Sequence, residues 1–288
     1  MSKPQTAILF PGQGSQAAGM DELVRDATPE LFELASEVVG EDPFARADEA
    51  TCFAQPAIYA ASVAAWVAAD RPSADLLAGH SLGELTALAV GGAFSLSDGL
   101  RIAAERGRLM ELAARESGGG MLAVIGDRTQ AEELAEEFDL LVANENSPEQ
   151  VVLSGPTSGI AEAEAVAAER DLRAVVLKVR GAFHSDAMAP AQKPFDEFLA
   201  SVEISAPATT VLGCADGTPV TDPRHTLVSG LVRPVRWDSV LAELNRLGVT
   251  RFLDAGPGRV MSGLVKRTLS GTRAERLAQM STAGSTNA

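Results

Sequence analysis

Gly79-His80-Ser81-Leu82-Gly83 constrains this chain more than any other stretch. It follows the apolar run Leu76-Leu77-Ala78 and opens the helix-like segment Glu84 to Ala89. A G-x-S-x-G pentapeptide between a strand and a helix forces a sharp turn with the serine at its tip. Such a turn tolerates only small neighbours, and Gly79 and Gly83 supply them. Ser81 then stands with its Oγ free to attack a carbonyl. The first N–H groups of the helix point at the same spot and favour developing negative charge. A glycine-rich chain can carry the pattern by accident, but the strand–turn–helix context gives it mechanical meaning.

The 288 residues are 46% hydrophobic, enough for a large core and a second lobe. The longest uncharged apolar stretch, Ala57 to Ala69, is too short to cross a bilayer and ends at Asp70-Arg71. No signal-peptide core follows the N-terminus. Two cysteines, Cys52 and Cys214, make no disulfide framework and no metal-ligand spacing. These features predict a cytoplasmic protein without a metal. A formal net charge of -15 argues against nucleic acid and anionic membranes as partners. Basic residues do cluster at Arg101, Arg106 and Arg108, at Arg233 and Arg236, and at Lys266 and Arg267. Most of these read as solvated faces.

Strands alternate with helices over the first 118 residues, which predicts a mostly parallel, helix-covered sheet. Thr6 to Phe10 reads as a buried strand running into the loop Pro11 to Gln16. Helices are expected over Leu31 to Val39 and Ala57 to Ala69. Ser95-Leu96-Ser97-Asp98 reads as a capping box opening a helix to about Arg115. After Gly118-Gly119-Gly120 the pattern changes. Strands at Met121–Ile125, Leu140–Ala143, Gln150–Leu153 and Ala174–Val179 alternate with helices at Gln130–Phe138 and Ile160–Arg170. That is βαββαβ, the ferredoxin-like order, and it reads as a small lobe, 119–181, inserted into a larger α/β domain formed by 1–118 and 182–288. Beyond it a helix near Pro194–Val202, a strand near Thr210–Leu212, a helix at Trp237–Leu247 and a strand at Arg251–Asp254 are expected. The tail from Gly271 reads as frayed.

A serine nucleophile needs a base within hydrogen-bond reach, and the chain has three histidines. His80 adjoins Ser81, and a sharp turn should point its ring away from Oγ. His225 sits in the polar segment Asp222-Pro223-Arg224-His225, read as a solvent-facing loop. His184, in Gly181-Ala182-Phe183-His184-Ser185, follows the small lobe's last strand at the seam between lobes, where clefts form. It is the candidate base. No acid stands out in the order of the α/β-hydrolases, so a dyad oriented by a backbone carbonyl is the simpler arrangement. Gly12-Gln13-Gly14-Ser15-Gln16-Ala17 formally matches a dinucleotide-binding pattern, but no second strand ends in an acid about twenty residues on. The loop reads better as one that turns the Gln13 N–H toward an oxyanion at Ser81.

Several further segments occur in one order with these: Phe10-Pro11-Gly12-Gln13-Gly14-Ser15-Gln16, the turn from Gly79 to Leu85, Glu105-Arg106-Gly107-Arg108-Leu109-Met110 and Asn144-Glu145-Asn146-Ser147-Pro148-Glu149-Gln150. Ala182-Phe183-His184-Ser185, Pro234-Val235-Arg236-Trp237 and Gly256-Pro257-Gly258 follow. Together they resemble the malonyl-CoA:acyl carrier protein transacylases of fatty acid and polyketide synthesis, from about Thr6 to Arg267. The resemblance implies a hydrolase-like α/β domain with a ferredoxin-like subdomain. It makes Ser81 the nucleophile, His184 the base, and the backbone N–H groups of Gln13 and Leu82 the oxyanion hole. It gives Arg106 the free carboxylate of malonate, a task that a planar, always-charged fork suits. Phe183, before the histidine, resembles the bulky residue of malonyl-selective enzymes, which crowds an α-branch. The histidine-orienting carbonyl aligns with Gly230, where the family usually has glutamine.

The implied reaction is ping-pong: malonyl-CoA acylates the serine, and a carrier-protein phosphopantetheine thiol takes the acyl group. The implied partners are malonyl-CoA and an acyl carrier protein, with no cofactor, and the enzyme is expected to be a monomer. The Gly-Ala-Phe-His form resembles stand-alone acyltransferases that serve polyketide synthases in trans. Two rivals remain. An editing hydrolase would use water as acceptor but has no use for a malonate clamp, and an inactive docking module would not need Ser81, His184 and Arg106 together.

Overall fold

The structure is a computed structural model that describes residues 5–170 and 172–277. The chain begins with β1 (Gln5–Phe10), α1 (Met20–Ala27), α2 (Pro29–Val39), α3 (Thr51–Ala68), β2 (Leu76–Gly79), α4 (Leu82–Val90) and α5 (Leu96–Ser117). It continues through β3 (Gly120–Ile125), α6 (Arg128–Glu137), β4 (Leu141–Ser147), β5 (Gln150–Gly155), α7 (Thr157–Glu169) and β6 (Arg173–Val176). It ends with α8 (Ala189–Leu199), β7 (Val211–Leu212), α9 (Pro223–Ser229), β8 (Val235–Arg236), α10 (Trp237–Arg246), β9 (Val249–Asp254), α11 (Val260–Thr268) and β10 (Ala274–Arg276).

Five strands form a parallel sheet in the order β10-β9-β1-β2-β7. Ala7, Ile8, Leu9 and Phe10 of the central strand are all fully buried, as expected where helices cover both faces. Alternate residues face two different cores. Ile8 and Phe10 join the larger apolar cluster with residues of α1 to α5 and α8, whereas Ala7 and Leu9 pack with Trp237, Leu241, Met261 and Leu264. The carboxyl ends of β1 and β2 lead straight into the Pro11 loop and the Ser81 turn, so the sheet sets these two segments side by side.

The second sheet has the order β6-β3-β5-β4-β8. Its first four strands are antiparallel neighbours and make the expected ferredoxin-like arrangement, with α6 and α7 over a third apolar cluster. The fifth strand comes from beyond residue 182. Val235 and Arg236 pair in parallel with Asn144 and Glu145, so the second sheet extends past the 119–181 segment.

Several sequence expectations change. Helix α3 starts at Thr51, before the apolar run, and passes through Pro56. At 18 residues with a mean hydropathy of 1.2 it is long and apolar enough to cross a membrane, but 78% of it is buried inside the protein. A core helix meets the same length criterion. His225 lies in helix α9 rather than a loop: Asp222 caps its N-terminus by accepting from the His225 N–H at 3.0 Å, and Pro223 takes the first helical position. His225 itself is exposed, as expected. The tail is ordered past Gly271, because Ala274–Arg276 pair in parallel with the otherwise open edge of β9. The end of that expected tail lies outside the described residues.

Candidate active site

Ser81 holds φ 51° and ψ −106°, a strained conformation for a residue with a side chain. The strain is enforced by packing. A Cβ at Gly79 would lie 1.9 Å from the carbonyl carbon of Gly83, and one at Gly83 would lie 2.0 Å from the carbonyl oxygen of Phe10. Only glycine allows the turn to close this tightly against β1. The result is a serine at the N-terminus of α4 with its Oγ displaced from the helix.

Oγ of Ser81 lies 2.8 Å from Nε2 of His184. His184 also has a positive φ, 57°, and is buried. Its Nδ1 faces the carbonyl oxygens of Gly230 at 3.0 Å and Arg233 at 2.9 Å. Carbonyls only accept, so Nδ1 carries the proton and Nε2 presents its lone pair to the serine hydroxyl. Burial, with the Arg106 charge second, holds the imidazolium down to about 3, which keeps the ring neutral, with its Nε2 lone pair free, at neutral pH. A second brace at Arg233 goes beyond the single carbonyl expected at Gly230.

Arg106 is 4% exposed on α5, whereas Arg101 and Arg108 of the same helix are surface residues paired with Asp98 and Glu105. Its Nη1 donates to Oε1 of Gln55 at 2.9 Å and its Nη2 to Oγ of Ser81 at 3.3 Å. Burial brings the guanidinium down to about 10, opposed by Cys214 and Glu84, so it stays charged at neutral pH. No carboxylate forms an ion pair with it among the described residues. A desolvated cation without a counter-ion is chemically suited to pair with an anion.

Gln13 stands in the loop after β1. Glycine contacts lock that loop in place: a Cβ at Gly12 would lie 2.5 Å from the His80 carbonyl oxygen, and one at Gly256 would lie 2.2 Å from Pro11 Cγ. Ser15 Oγ donates to the Gly12 carbonyl at 2.7 Å. The Gln13 side chain donates to Thr51 Oγ1 at 3.3 Å. Leu82 is the first residue of α4 and is buried, so its N–H belongs to the free donors of the helix start. Phe183 is buried in the large core cluster, its ring against Gly181.

His80 points away from Oγ, as expected. Its Nε2 meets Oδ1 of Asn146 on β4 at 2.7 Å, and its ring packs against Trp237 at 5.7 Å between centroids. Among the described residues no group of three His, Cys, Asp or Glu side chains could hold a metal ion. Three participants escaped the sequence reading: Gln55, Glu84 and Arg233. Gln55 had a signal, as a lone amide before Pro56 in an otherwise apolar run. Glu84 had one too, as the only charge in LGELTALAV. Arg233 had none, because it acts through its carbonyl.

The sequence matches the acyl transferase domain family over residues 8–286. The chain belongs to that family. This acyltransferase is 40% identical over 280 residues to the polyketide biosynthesis protein ThaF of Burkholderia thailandensis. The match covers 91% of the chain but 24% of ThaF, so the chain spans about a quarter of that relative's length. It is 34% identical to the polyketide biosynthesis malonyl CoA-acyl carrier protein transacylase PksC of Bacillus subtilis, covering 90% of the chain and 95% of PksC. The acyltransferase also superposes on the crystal structure of a malonyl-CoA:acyl carrier protein transacylase from Xanthomonas oryzae. There the TM-score is 0.87 and the identity 36%, with 97% and 96% of the two chains covered.

Proposed function

We propose that this acyltransferase moves a malonyl group from malonyl-CoA to the phosphopantetheine thiol of an acyl carrier protein through an ester on Ser81. One observation carries the reading: Oγ of Ser81 lies within hydrogen-bond reach of both a neutral imidazole and a buried, unpaired guanidinium. The first is what an attacking serine needs, and the second is what a free carboxylate needs.

The steps follow from these groups. Arg106 holds the malonyl carboxylate. Nε2 of His184 takes the Ser81 proton as Oγ bonds to the thioester carbon. The oxyanion rests on the N–H groups of Gln13 and Leu82. The C–S bond breaks and His184 returns the proton to the coenzyme A sulfur. In the second half the carrier thiol gives its proton to His184 as its sulfur bonds to the ester carbon, the bond from that carbon to Oγ breaks, and His184 returns the proton to Oγ. The carbonyls of Gly230 and Arg233 hold Nδ1–H throughout, so the imidazolium forms in place. Phe183 crowds an α-branch on the acyl group and favours malonyl over methylmalonyl by about 1–3 kcal/mol. In this reading the large domain, 1–118 with 182–288, carries both reacting side chains, and the lobe 119–181 meets it beside the nucleophile turn, where Asn146 Oδ1 lies 2.7 Å from His80 Nε2.

The route uses side chains, backbone donors and two thiols, and calls for no metal or redox group. ThaF and PksC, both named for polyketide biosynthesis, support a polyketide carrier as acceptor, and we read the enzyme as serving it in trans, in the cytoplasm. Incubation with malonyl-CoA and a phosphopantetheinylated carrier protein tests the proposal. Malonyl-carrier formation is expected; release of free malonate with the carrier left unmodified would assign the site to hydrolysis instead.

A further inference from the structure

Glu84 is the only charged side chain in helix α4, and it is buried, 4% exposed. It occupies the third position after the N-cap residue Ser81. A glutamate there ordinarily turns back to the N-cap's own N–H. Here no such cap forms. Its Oε1 instead accepts from the backbone N–H of Cys214 at 2.7 Å, across 130 residues of chain.

Cys214 is the base of a closed loop. Its carbonyl accepts from the Arg236 N–H at 2.8 Å, so residues 214 and 236 are held together. Between them lie Gly230 and Arg233, the two carbonyls that brace Nδ1 of His184. Within the loop, Arg233 pairs with Asp216 at 3.1 Å. The other oxygen of Glu84 stands beside the same brace, 3.7 Å from where a Cβ of Gly230 would be.

Burial pushes the Glu84 carboxyl up to about 7, opposed by its bonds to Cys214 and by the Arg106 charge. An apolar residue would fill this space at lower cost. A buried carboxylate kept at that cost needs a task.

We infer that Glu84 is a positioning residue, tying the helix that carries the nucleophile to the loop that braces the base. It touches neither substrate nor reacting atoms. It fixes Ser81 and His184 relative to each other through one carboxylate and one backbone N–H. The inference rests on the Ser81–His184 reading above.

The test is the single-turnover rate of Ser81 acylation by malonyl-CoA, with the dissociation constant for malonyl-CoA measured alongside. Misplacing reacting groups by about 1 Å costs up to about 100-fold in rate. Glu84→Ala is expected to slow acylation by about 30-fold or more while changing the dissociation constant less than about 3-fold. Glu84→Gln keeps an oxygen in reach of the Cys214 N–H and is expected to recover to within about 5-fold of the parent. Glu84→Asp keeps the charge but falls one methylene short, and is expected to be as slow as Glu84→Ala. It replaces that variant in the comparison if the alanine form does not fold.

Parent-like acylation by Glu84→Ala or Glu84→Asp would overturn the inference. So would a loss confined to the dissociation constant, or a Glu84→Gln form as slow as Glu84→Ala. The parent enzyme separates the two levels. If it is acylated and these variants behave like it, the positioning role alone fails. If it is not acylated at all, the transfer reading fails and takes this inference with it.

Discussion

Nη2 of Arg106 lies 3.3 Å from Oγ of Ser81, so a buried cation and a nucleophile share one small space. A malonyl group fits this juxtaposition because its thioester carbon and its carboxylate are separated by a single methylene. Gln55 holds the other guanidinium nitrogen, which fixes the fork before substrate arrives. Arg106→Ala should therefore lower kcat/KM for malonyl transfer by about 100-fold or more, the usual scale for truncating one partner of a buried charge pair. Acetyl transfer, with no carboxylate to hold, should be spared or rise. Equal losses with both acyl groups would remove the carboxylate role.

The base should work far into acid. Burial holds His184 to about 3, well below the ordinary histidine value. A lowered value means the proton is bound only at low pH, so the neutral, base-competent ring persists as pH falls. Glu84, pushed up to about 7, titrates inside the window and must be removed from the measurement. In the Glu84→Gln variant, kcat/KM for the acylation half-reaction should stay within about 3-fold from pH 8 down to about pH 5. A fall centred near 6.5 would place the histidine in an ordinary, solvated setting.

The brace on His184 is made of backbone, so its side chains should matter little. Gly230 has φ −61° and ψ −15°, which any residue adopts. A Cβ there would meet the Thr226 carbonyl oxygen at 3.0 Å, which asks for a shift of a few tenths of an ångström. Gly230→Ala should keep acylation within about 3-fold of the parent, since the carbonyl and its partner at Arg233 both remain. A loss of about 30-fold would mean that the glycine itself, not its oxygen, is required.

The nucleophile turn should be far less forgiving. Gly83→Ala would drive a Cβ to 2.0 Å from the backbone of Phe10, the central strand of the sheet. Backbone on both sides leaves nothing flexible to yield. The substitution should destabilise the fold by about 3 kcal/mol or more, seen as a lower thermal unfolding midpoint or loss of soluble protein. A parent-like midpoint would show that the turn is looser than described.

What was legible in the sequence follows from where the information sits. The Ser81 turn is local: its glycines, its strand and its helix are contiguous, so spacing alone exposes it. The ferredoxin-like order is legible for the same reason, as alternation of short strands and helices within 119–181. His184 becomes readable only by elimination among three histidines. The pairing of β8 with β4 joins residues about ninety apart and leaves no local trace. The same holds for the Glu84–Cys214 link, which is a contact between one carboxylate and a backbone donor. Helix α9 was recoverable, since Asp222 and Pro223 are the N-cap and first-turn residues that physics favours, but the polar composition of the segment suggested a loop. Arg106 looked like its surface neighbours because helical periodicity alone does not reveal how deep a helix lies.

Everything proposed for this site requires that malonyl-CoA esterify Oγ of Ser81 with His184 as the base. Intact-mass measurement after brief exposure to malonyl-CoA reads this directly. One malonyl group is expected on the parent protein, none on Ser81→Ala, and a gain slowed by about 1,000-fold or more on His184→Ala. A malonyl adduct that survives Ser81→Ala, or a parent protein that gains nothing, would contradict it.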